Sequence, residues 1–476
     1  MANTPPIRRL GLVVGGGPAP GINGVISAVS IEALNRGIDV IGIEDGYKWL
    51  ANGTTIKAIN DGVANFAVRN ESHLFHLSVN DVKQIYSRGG SILGTSRTNP
   101  AKNPEDMARV LEVIQRLQLD ALVSIGGDDT AYSASQVYQH VKNAGGYLRV
   151  AHVPKTIDND LPLPGSTPTF GFETARHYGV TSVRNLAEDA RTTSRWYIVV
   201  CMGRAAGHLA LGIGKAAAAT LTVIPEEFGL DAEGKPNKIS FKLLCDIIVG
   251  SIIKREANDK RYGVIVLAEG LIESVKDELK IILEKTHGRY GTYETDAFGH
   301  LRLGEIEFGK LIRELLTERL AKPKESTEET SDQPRLHDLL KVPHQPYGLK
   351  VTFIDMDLGY VLRCADPIPF DAEYTRDLGY SAVKFLLSDA ATQYGAVIGF
   401  NQGVMEPTPF EKMINPKTKR MKTRLVNVAG EGYEVAKRYM IRLEKRDFRD
   451  AETVRELAEA AHRRPEEFRA EFEYLV

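Results

Sequence analysis

The sequence predicts an α/β protein with two α/β domains, each containing a largely parallel sheet, and a helical C-terminal appendage. Three observations predict this class. The chain has 476 residues, more than one ordinary domain of about 100 to 200 residues accommodates. Through the first 160 residues, short aliphatic runs alternate with glycine- or aspartate-rich turns and segments of helical period, the βαβ pattern of a parallel sheet. The same alternation restarts near residue 168.

In the first half, four aliphatic runs are predicted strands. They are LGLVV (10–14), DVIGI (39–43), DALVSI (120–125) and RVAHV (149–153). Long segments of helical period follow the first and the third of them. Each run ends in a loop whose glycine or aspartate residues suit a ligand.

In the second half, a predicted helix at 170–192 precedes further strands. The predicted strands are RWYIVVCM (195–202), TLTVI (220–224) and YGVIVLAEG (262–270). Residues 321–346 are polar and rich in proline, which indicates a surface insertion. The last residues combine helical period with many charges, which predicts a packed helical appendage.

The composition excludes several functional classes. Apolar residues make up 43% of the chain, charged residues 26%, and the formal net charge is −2, so neither nucleic acid nor a membrane is an expected partner. Three cysteines lie far apart without metal-ligand spacing, which argues against a disulfide framework and a zinc site. The N-terminal apolar run is too short for a signal peptide or a spanning helix. We therefore expect a cytoplasmic protein.

The first candidate phosphate-binding element is VVGGGPAPGIN (13–23). Glycines let the backbone approach an anion closely, and the helix that follows offers unpaired N–H groups. Gly16 and Gly17 are the predicted phosphate contacts, and a tight βα turn without a ligand is the alternative for this motif alone. The motif lacks GxxxxGK[ST] and departs from GxGxxG, so neither a P-loop nor dinucleotide binding is favoured.

Two acidic loops indicate metal-assisted phosphoryl transfer. SIGGDDT (124–130) places carboxylates where a phosphate would bind, and these repel the ligand unless Mg²⁺ stands between them. VPKTIDNDLP (153–162) adds a lysine, a threonine and further aspartates. An aspartate that accepts a hydroxyl proton, together with Mg²⁺ and cationic side chains, is the minimum equipment of a kinase-type transfer. For either loop alone, Asx turns or helix caps are the alternative.

Candidate ligands for a phosphorylated acceptor come later in the chain. Arg195 precedes and Arg204 follows one predicted strand, and LGYVLR adds Tyr360 and Arg363. Guanidinium groups match phosphate oxygens better than an ammonium group does. An arbitrary arginine is more often a surface salt-bridge partner, but the position of these residues at strand ends favours binding.

The motifs together resemble those of the phosphofructokinase family, from about residue 8 to about residue 400. In family order they are GGGPAPGIN, GIEDGY, RGGSILGTSR, IGGDDT, PKTIDND, CMGRAAGH, LAEG and LGYVLR. The resemblance implies two Rossmann-like three-layer α/β/α domains with the active site in the cleft between them, Mg²⁺ dependence, and phosphorylation of fructose 6-phosphate at its 1-hydroxyl. It implies a donor domain at 1–167 with about 364–430, a sugar-phosphate domain at 168–363, and a helical extension at 431–476.

The same resemblance implies the role of each site residue. Asp158 is implied as the general base, and Asp128 as the Mg²⁺ ligand. The donor is expected to bind Gly16, Gly17, Asp129, Thr130 and Lys155. The sugar phosphate is expected to bind Thr156, Asp158, Arg195, Met202, Gly203, Arg204, Glu269, Tyr360 and Arg363. Arg195 is implied to reach the neighbouring subunit's site, which implies a homodimer or homotetramer.

Two positions bear on the phosphoryl donor. ATP-using members typically have glycine where this sequence has Asp129 and Lys155, and the combination resembles the pyrophosphate-dependent branch. A carboxylate beside the β-phosphoryl position would repel an added α-phosphate, whereas Lys155 can stabilise the departing phosphate. Pro18 replaces an aspartate common in ATP-type loops and points weakly the same way. We expect a reversible reaction that serves glycolysis or gluconeogenesis.

Three alternatives stay open at this point. The nearest is an ATP-dependent phosphofructokinase with an unusual loop. A catalytically silent regulatory subunit should have lost the base or the arginines, yet Asp158, Arg204 and Arg363 are present. A NAD-kinase-like or lipid-kinase-like enzyme shares Gly-Gly-Asp but lacks PKTIDND and MGR.

Overall fold

The computed structural model describes residues 6–62, 71–295, 301–321, 335–340, 346–418 and 420–476. Most of the surface insertion predicted at 321–346 lies outside the described residues. Among the described helices, none combines the length and the apolar character that crossing a bilayer requires.

Short strands and longer helices alternate along much of the described chain. The strands are β1 (Arg9–Val14), β2 (Asp39–Ile43), β3 (Leu74–His76), β4 (Ala121–Gly126), β5 (Arg149–Pro154), β6 (Trp196–Cys201), β7 (Leu221–Val223), β8 (Gly263–Ala268), β9 (Phe353–Leu358), β10 (Ala396–Val397), β11 (Phe400–Asn401), β12 (Val404–Met405) and β13 (Thr408–Pro409). The strands predicted from sequence are β1, β2 and β4 to β8, and these predictions are confirmed.

The helices follow most strands, as the βαβ pattern predicts. They are α1 (Ile22–Asn35), α2 (Lys48–Ala51), α3 (Thr54–Asn60), α4 (Val79–Val82), α5 (Pro104–Arg116), α6 (Asp128–Asn143), α7 (Phe172–Thr193), α8 (His208–Ala216), α9 (Phe241–Glu256), α10 (Leu271–Ser274), α11 (Lys276–Lys285), α12 (Phe308–Leu320), α13 (Leu336–Leu340), α14 (Pro369–Leu386), α15 (Ala390–Gln393), α16 (Phe410–Met413), α17 (Glu431–Tyr439), α18 (Ala451–Ala460) and α19 (Pro465–Phe472). A short 3₁₀ turn at Tyr360–Leu362 carries one of the predicted site residues.

The first compact unit comprises the described residues of Met1–Arg176 and Tyr360–Arg424. Its sheet has the strand order β13-β10-β5-β4-β1-β2-β3, in which only the outer strands β3 and β13 pair antiparallel among the described residues. Val14 pairs with Ile125, and Gly126 with Pro154. The loops after β1, β4 and β5 therefore leave the sheet side by side at one edge.

Both faces of this sheet are covered by helices. Leu12 of β1 belongs to a core shared with α1 and α14, whereas its neighbour Val13 belongs to a core shared with α5 and α6. Successive side chains of a strand point to opposite faces, and a strand buried on both faces is therefore a continuous aliphatic run. The predicted three-layer α/β/α arrangement is confirmed in this unit.

The second compact unit comprises the described residues of His177–Asp296, Leu301–Gly359 and Leu425–Val476. Its sheet has the order β7-β8-β6-β9 with all strands parallel. Cys201 pairs with Ala268, so the loops after β6 and β8 emerge next to each other. The limits of the two units lie within about ten residues of the predicted domain boundaries, which stay a prediction.

The C-terminal residues pack into the core of the second unit. Phe468 and Phe472 are fully buried and share a hydrophobic cluster with Phe308. The buried guanidinium of Arg319 pairs with Asp246 and, at 2.9 Å, with Glu471 of α19. The predicted helical C-terminal region is confirmed, and it contributes core residues rather than only capping the surface.

Candidate active site

The loop after β1 carries the predicted phosphate contacts of the first unit. Gly16 adopts a φ of 83°, in the left-handed region that favours glycine. A Cβ atom at Gly16 would lie 3.5 Å from Nζ of Lys155, and one at Gly17 would lie 3.3 Å from Cζ of Arg363. Both glycines therefore face cationic groups, and larger residues would fill the space beside those groups.

A second loop, at 94–98, supports the glycine loop. Thr95 Oγ1 donates a hydrogen bond to the Gly16 carbonyl oxygen at 2.7 Å, and the Gly16 N–H donates to the Ser96 carbonyl oxygen at 2.8 Å. The sequence interpretation gave Thr95 and Ser96 no role, because pairing across 79 residues leaves no local pattern. Because the Gly16 N–H is already hydrogen-bonded to the Ser96 carbonyl oxygen, the predicted role of Gly16 rests on the close approach that its missing side chain allows.

Lys155 is the buried cation of this site. It follows β5 directly, its N–H donates to the Gly126 carbonyl oxygen at 2.8 Å, and its side chain is 6% exposed. Its Nζ donates a hydrogen bond of 2.5 Å to the Gly17 carbonyl oxygen. Burial lowers the pKa of Lys155 to about 8, and Arg363 acts in the same direction, whereas Asp158, Asp160 and Asp128 raise it.

The acidic loop at 124–130 leads into the first turn of a helix. Asp128 and Asp129 are the first two residues of α6, where the helix dipole stabilises negative charge. Thr130 is 6% exposed and packs against the ends of both β1 and β4, since a Cβ atom at Gly15 would lie 2.7 Å from the Thr130 Oγ1 and one at Gly126 would lie 2.3 Å from the Thr130 Cβ. The structure thus places Thr130 between the loops after β1 and β4, and the first carboxylate close enough to act on Lys155.

The predicted base and its neighbouring threonine lie in one local turn. The Asp158 N–H donates to Thr156 Oγ1 at 3.0 Å, and Thr169 Oγ1 donates to the Thr156 carbonyl oxygen at 2.8 Å. Asp158 is half-buried, whereas Thr156 is buried. These contacts hold the backbone of Thr156 and orient the residue that carries the carboxylate.

Arg363 lies on the glycine-loop side of the first unit. Its guanidinium stacks over the Tyr360 ring at 4.6 Å, and Tyr360 itself is 67% exposed. Its proximity to Gly17 and its effect on the pKa of Lys155 place it beside the predicted donor loop. Its predicted contact with the sugar phosphate stays a prediction.

The second unit brings four predicted sugar-phosphate residues together: Met202, Gly203, Arg204 and Glu269. The Gly203 N–H donates to Glu269 Oε2 at 3.3 Å, and the Gly270 N–H donates to the Gly203 carbonyl oxygen at 3.1 Å. Gly203 has a φ of 139°, which a residue with a side chain rarely adopts. Gly203 thus provides the backbone conformation of the loop after β6 that carries Arg204, and Glu269 accepts a hydrogen bond from this loop.

Arg195 lies apart from that cluster. It directly precedes β6, and its N–H donates to the Ala190 carbonyl oxygen at 3.1 Å, whereas Arg204 follows the opposite end of the same strand. Six extended residues separate these ends, about 20 Å. Arg195 therefore does not share a site with Arg204 of its own chain.

The acidic residues of the first unit fit a magnesium ion that is held partly by its substrate. In the part of the chain that the structure describes, no group of three or more His, Cys, Asp or Glu side chains is arranged to hold a metal. Mg²⁺ commonly takes one or two carboxylates and completes its shell with water and substrate phosphates. Asp128 and Asp158 both raise the pKa of Lys155, so carboxylates and the predicted phosphate loop lie in one place.

Comparisons with known proteins relate the chain to one family. A family model described as phosphofructokinase matches residues 9–307. A pyrophosphate–fructose 6-phosphate 1-phosphotransferase of Naegleria fowleri is 45% identical over 99% of this chain and 96% of its own, and one of Thermotoga maritima is 45% identical over 98% of both. A pyrophosphate-dependent phosphofructokinase structure from Marinobacter aquaeolei superposes with a TM-score of 0.59 at 16% identity, over 92% of this chain and 93% of that one.

Proposed function

The chain belongs to the phosphofructokinase family, and we propose that it transfers a phosphoryl group reversibly from pyrophosphate to the 1-hydroxyl of fructose 6-phosphate. The products are fructose 1,6-bisphosphate and phosphate. The choice of donor rests first on Asp129 in the first turn of α6, and the buried Lys155 ammonium, 2.5 Å from the Gly17 carbonyl oxygen, supports it. The names of the two full-length relatives support the same donor.

Asp158 is the proposed general base. As the 1-hydroxyl oxygen attacks phosphorus, its proton passes to the Asp158 carboxylate and the bond from phosphorus to the leaving phosphate breaks. Thr156, which accepts the Asp158 N–H, positions the acceptor beside this carboxylate. In the reverse direction, the protonated Asp158 returns the proton to the sugar oxygen.

Lys155 and the glycine loop act on the donor. The ammonium faces the space beside Gly16 and Gly17, where it stabilises the charge of the departing phosphate. Asp128 would hold Mg²⁺, which neutralises charge on the transferring phosphoryl oxygens when bound. Thr130, packed against the same loop, completes the proposed donor contacts.

Asp129 is the proposed donor selector. It is the second residue of α6, and a carboxylate there repels the additional phosphate of a nucleotide while leaving room for pyrophosphate. Lys155 occupies the second position, where the resemblance implies glycine in typical ATP-using members although some of them keep the lysine. Together the two side chains favour a donor that ends after two phosphates.

The acceptor is proposed to bind mainly through the second unit. Arg204 is proposed to contact the sugar phosphate, with Met202, Gly203 and Glu269 on the same loops, and Tyr360 and Arg363 are also proposed to bind the sugar phosphate. Arg195 is proposed to complete the site of a neighbouring subunit in a homodimer or homotetramer, and its distance from Arg204 along β6 supports this. A cytoplasmic location completes the proposal and fits the free thiols of the described cysteines.

The experiment is a ³¹P NMR time course with fructose 6-phosphate, pyrophosphate and MgCl₂. We expect equal amounts of fructose 1,6-bisphosphate and phosphate, the reverse reaction from those products, and no turnover after EDTA. A protein that binds fructose 6-phosphate but turns over neither pyrophosphate nor ATP would be the silent subunit, and the proposal would be wrong.

A further inference from the structure

Arg424 makes a set of contacts with the loop that carries Asp158. Its Nε donates to the Asn159 carbonyl oxygen at 3.1 Å, its Nη1 donates to the Thr167 carbonyl oxygen at 2.9 Å, and its Nη2 donates to Asn159 Oδ1. Its backbone N–H donates to the Asp160 carbonyl oxygen at 2.7 Å. One arginine thus contacts both residues that follow the proposed base.

The loop needs such support because Asn159 has a left-handed backbone. Its φ is 57°, and a residue with a side chain in this region is strained and persists where its surroundings determine the conformation. The Thr169 N–H also donates to Asn159 Oδ1 at 3.1 Å. The side-chain oxygen and the carbonyl oxygen of Asn159 are therefore both held, and Arg424 takes part in both contacts.

We propose that Arg424 is a positioning residue for phosphoryl transfer, which holds the left-handed Asn159 and thereby fixes where the Asp158 carboxylate points. The inference rests on the proposed function, because it assigns Arg424 an effect on the step in which Asp158 accepts the proton. Arg424 lies 265 residues from Asn159 and beyond the residues 9–307 that the family model matches.

The chemistry of the contacts requires a guanidinium group. Two backbone carbonyl oxygens and one amide oxygen accept from three nitrogen atoms of a single planar group, and an ammonium group cannot reproduce this fork. Burial lowers the pKa of Arg424, and Asp160 opposes that shift. We therefore expect Arg424→Lys to resemble Arg424→Gln rather than the wild-type protein.

Arg149 provides a matched control within the same unit. It begins β5, whereas Lys155 and Asp158 follow the other end of that strand. Its Nη1 donates to the Leu386 carbonyl oxygen at 2.8 Å, and the residue is 1% exposed. Arg149→Gln therefore removes a buried guanidinium–carbonyl contact of similar kind far from the proposed base.

The experiment compares Arg424→Gln, Arg424→Lys and Arg149→Gln in steady-state kinetics, thermal unfolding and amide hydrogen exchange. A misplaced base costs about 100-fold, so we expect kcat to fall about 10- to 100-fold in both Arg424 variants while the KM of each substrate changes little. Exchange within residues 156–169 should become faster in the Arg424 variants. Arg149→Gln should lower the melting temperature and keep the wild-type kcat.

Two kinetic outcomes would overturn the inference. One is an Arg424→Gln or Arg424→Lys protein with wild-type kcat, and the other is a loss of kcat in Arg149→Gln as large as in the Arg424 variants. The exchange measurement does not need turnover. An inactive wild-type protein would therefore contradict the proposed function alone, whereas unchanged exchange in the Arg424 variants would contradict the positioning role alone.

Discussion

The two sheets present different chemistry at the edges that carry their predicted site residues. In the first unit, the loops after β1, β4 and β5 gather glycines, carboxylates and a lysine that is 6% exposed. In the second, the loops after β6 and β8 carry Arg204 on a backbone held by Glu269. The first edge has a buried cation whose pKa several neighbours shift, whereas the second carries the predicted sugar-phosphate residues on two neighbouring loops.

This difference suggests that the units divide the reaction. Closely spaced charges in a site that excludes water stabilise charge that develops during a reaction. Such a site suits phosphoryl transfer and donor choice. An arginine on a glycine-containing loop suits recognition of a phosphate that does not react. Substitutions of the predicted residues in the loops after β1, β4 and β5 should therefore change kcat and donor use, and substitutions in the loops after β6 and β8 should change affinity for the sugar phosphate.

The largest expected effect comes from removing the proposed base. Asp158→Ser should lower kcat by about 10²- to 10⁴-fold, because acid–base catalysis contributes that much. Pyrophosphate binding, measured by calorimetry, should persist. Asp158→Asn, which keeps the shape without the basic oxygen, is the matched variant and should be as slow. Near-wild-type turnover in either protein would remove Asp158 from its role.

The contrasting substitution lies in the second unit. Arg204→Gln should raise the KM of fructose 6-phosphate about 10- to 100-fold, because a charged hydrogen bond contributes about 1.5 to 3 kcal/mol, and should leave the KM of pyrophosphate unchanged. Arg261→Gln is the control, since Arg261 pairs with Glu256 on the surface of the same unit. A large fall in kcat with an unchanged KM for fructose 6-phosphate would show that Arg204 does not act mainly in binding the sugar phosphate.

Donor choice should change when both selector side chains are removed. Asp129→Gly combined with Lys155→Gly should allow ATP to bind and to support a measurable rate, because the carboxylate that repels the α-phosphate and the lysine beside the loop are both gone. The single variants separate the two contributions. If titration with ATP shows no binding to the double variant, the explanation of donor choice is wrong.

The smallest expected effect is a change in pH dependence. A lysine is charged below its pKa, so kcat/KM for pyrophosphate should fall as the pH rises through about 8, by up to about tenfold per pH unit. Lys155→Arg stays charged, and its profile should extend to higher pH. Pyrophosphate titrates equally in both assays, so identical profiles would show that Lys155 does not set the alkaline limb.

Local patterns predicted the parts of the fold that depend on local chemistry. The aliphatic runs of β1, β2 and β4 to β8 are strands because they are buried on both faces, and the loops after β1, β4, β5, β6 and β8 carry most of the predicted residues. The strand β9, with the sequence FIDMDL, is not predicted because two carboxylates interrupt its apolar pattern. The strands β10 to β13 have only two residues each. Such short strands contain no period to detect.

Long-range contacts account for what the sequence did not predict. Thr95 and Ser96 support Gly16 from a different loop, and Arg424 reaches Asn159 across 265 residues. The left-handed backbone of Asn159 is also set by its surroundings, since asparagine tolerates but does not require it. Residue types and local spacing indicate which chemistry is present. The residues that hold the site loops in place come from distant positions and are seen only in the folded chain.

Asp129 and Lys155 are proposed to select pyrophosphate, and initial rates with the two donors test this selection. Wild-type protein is assayed with saturating fructose 6-phosphate and either magnesium pyrophosphate or magnesium ATP, and fructose 1,6-bisphosphate is measured. We expect kcat/KM for pyrophosphate to exceed that for ATP by at least about 100-fold, a difference of roughly 2.7 kcal/mol. Clear activity with ATP and none with pyrophosphate would show that Asp129 and Lys155 do not select pyrophosphate.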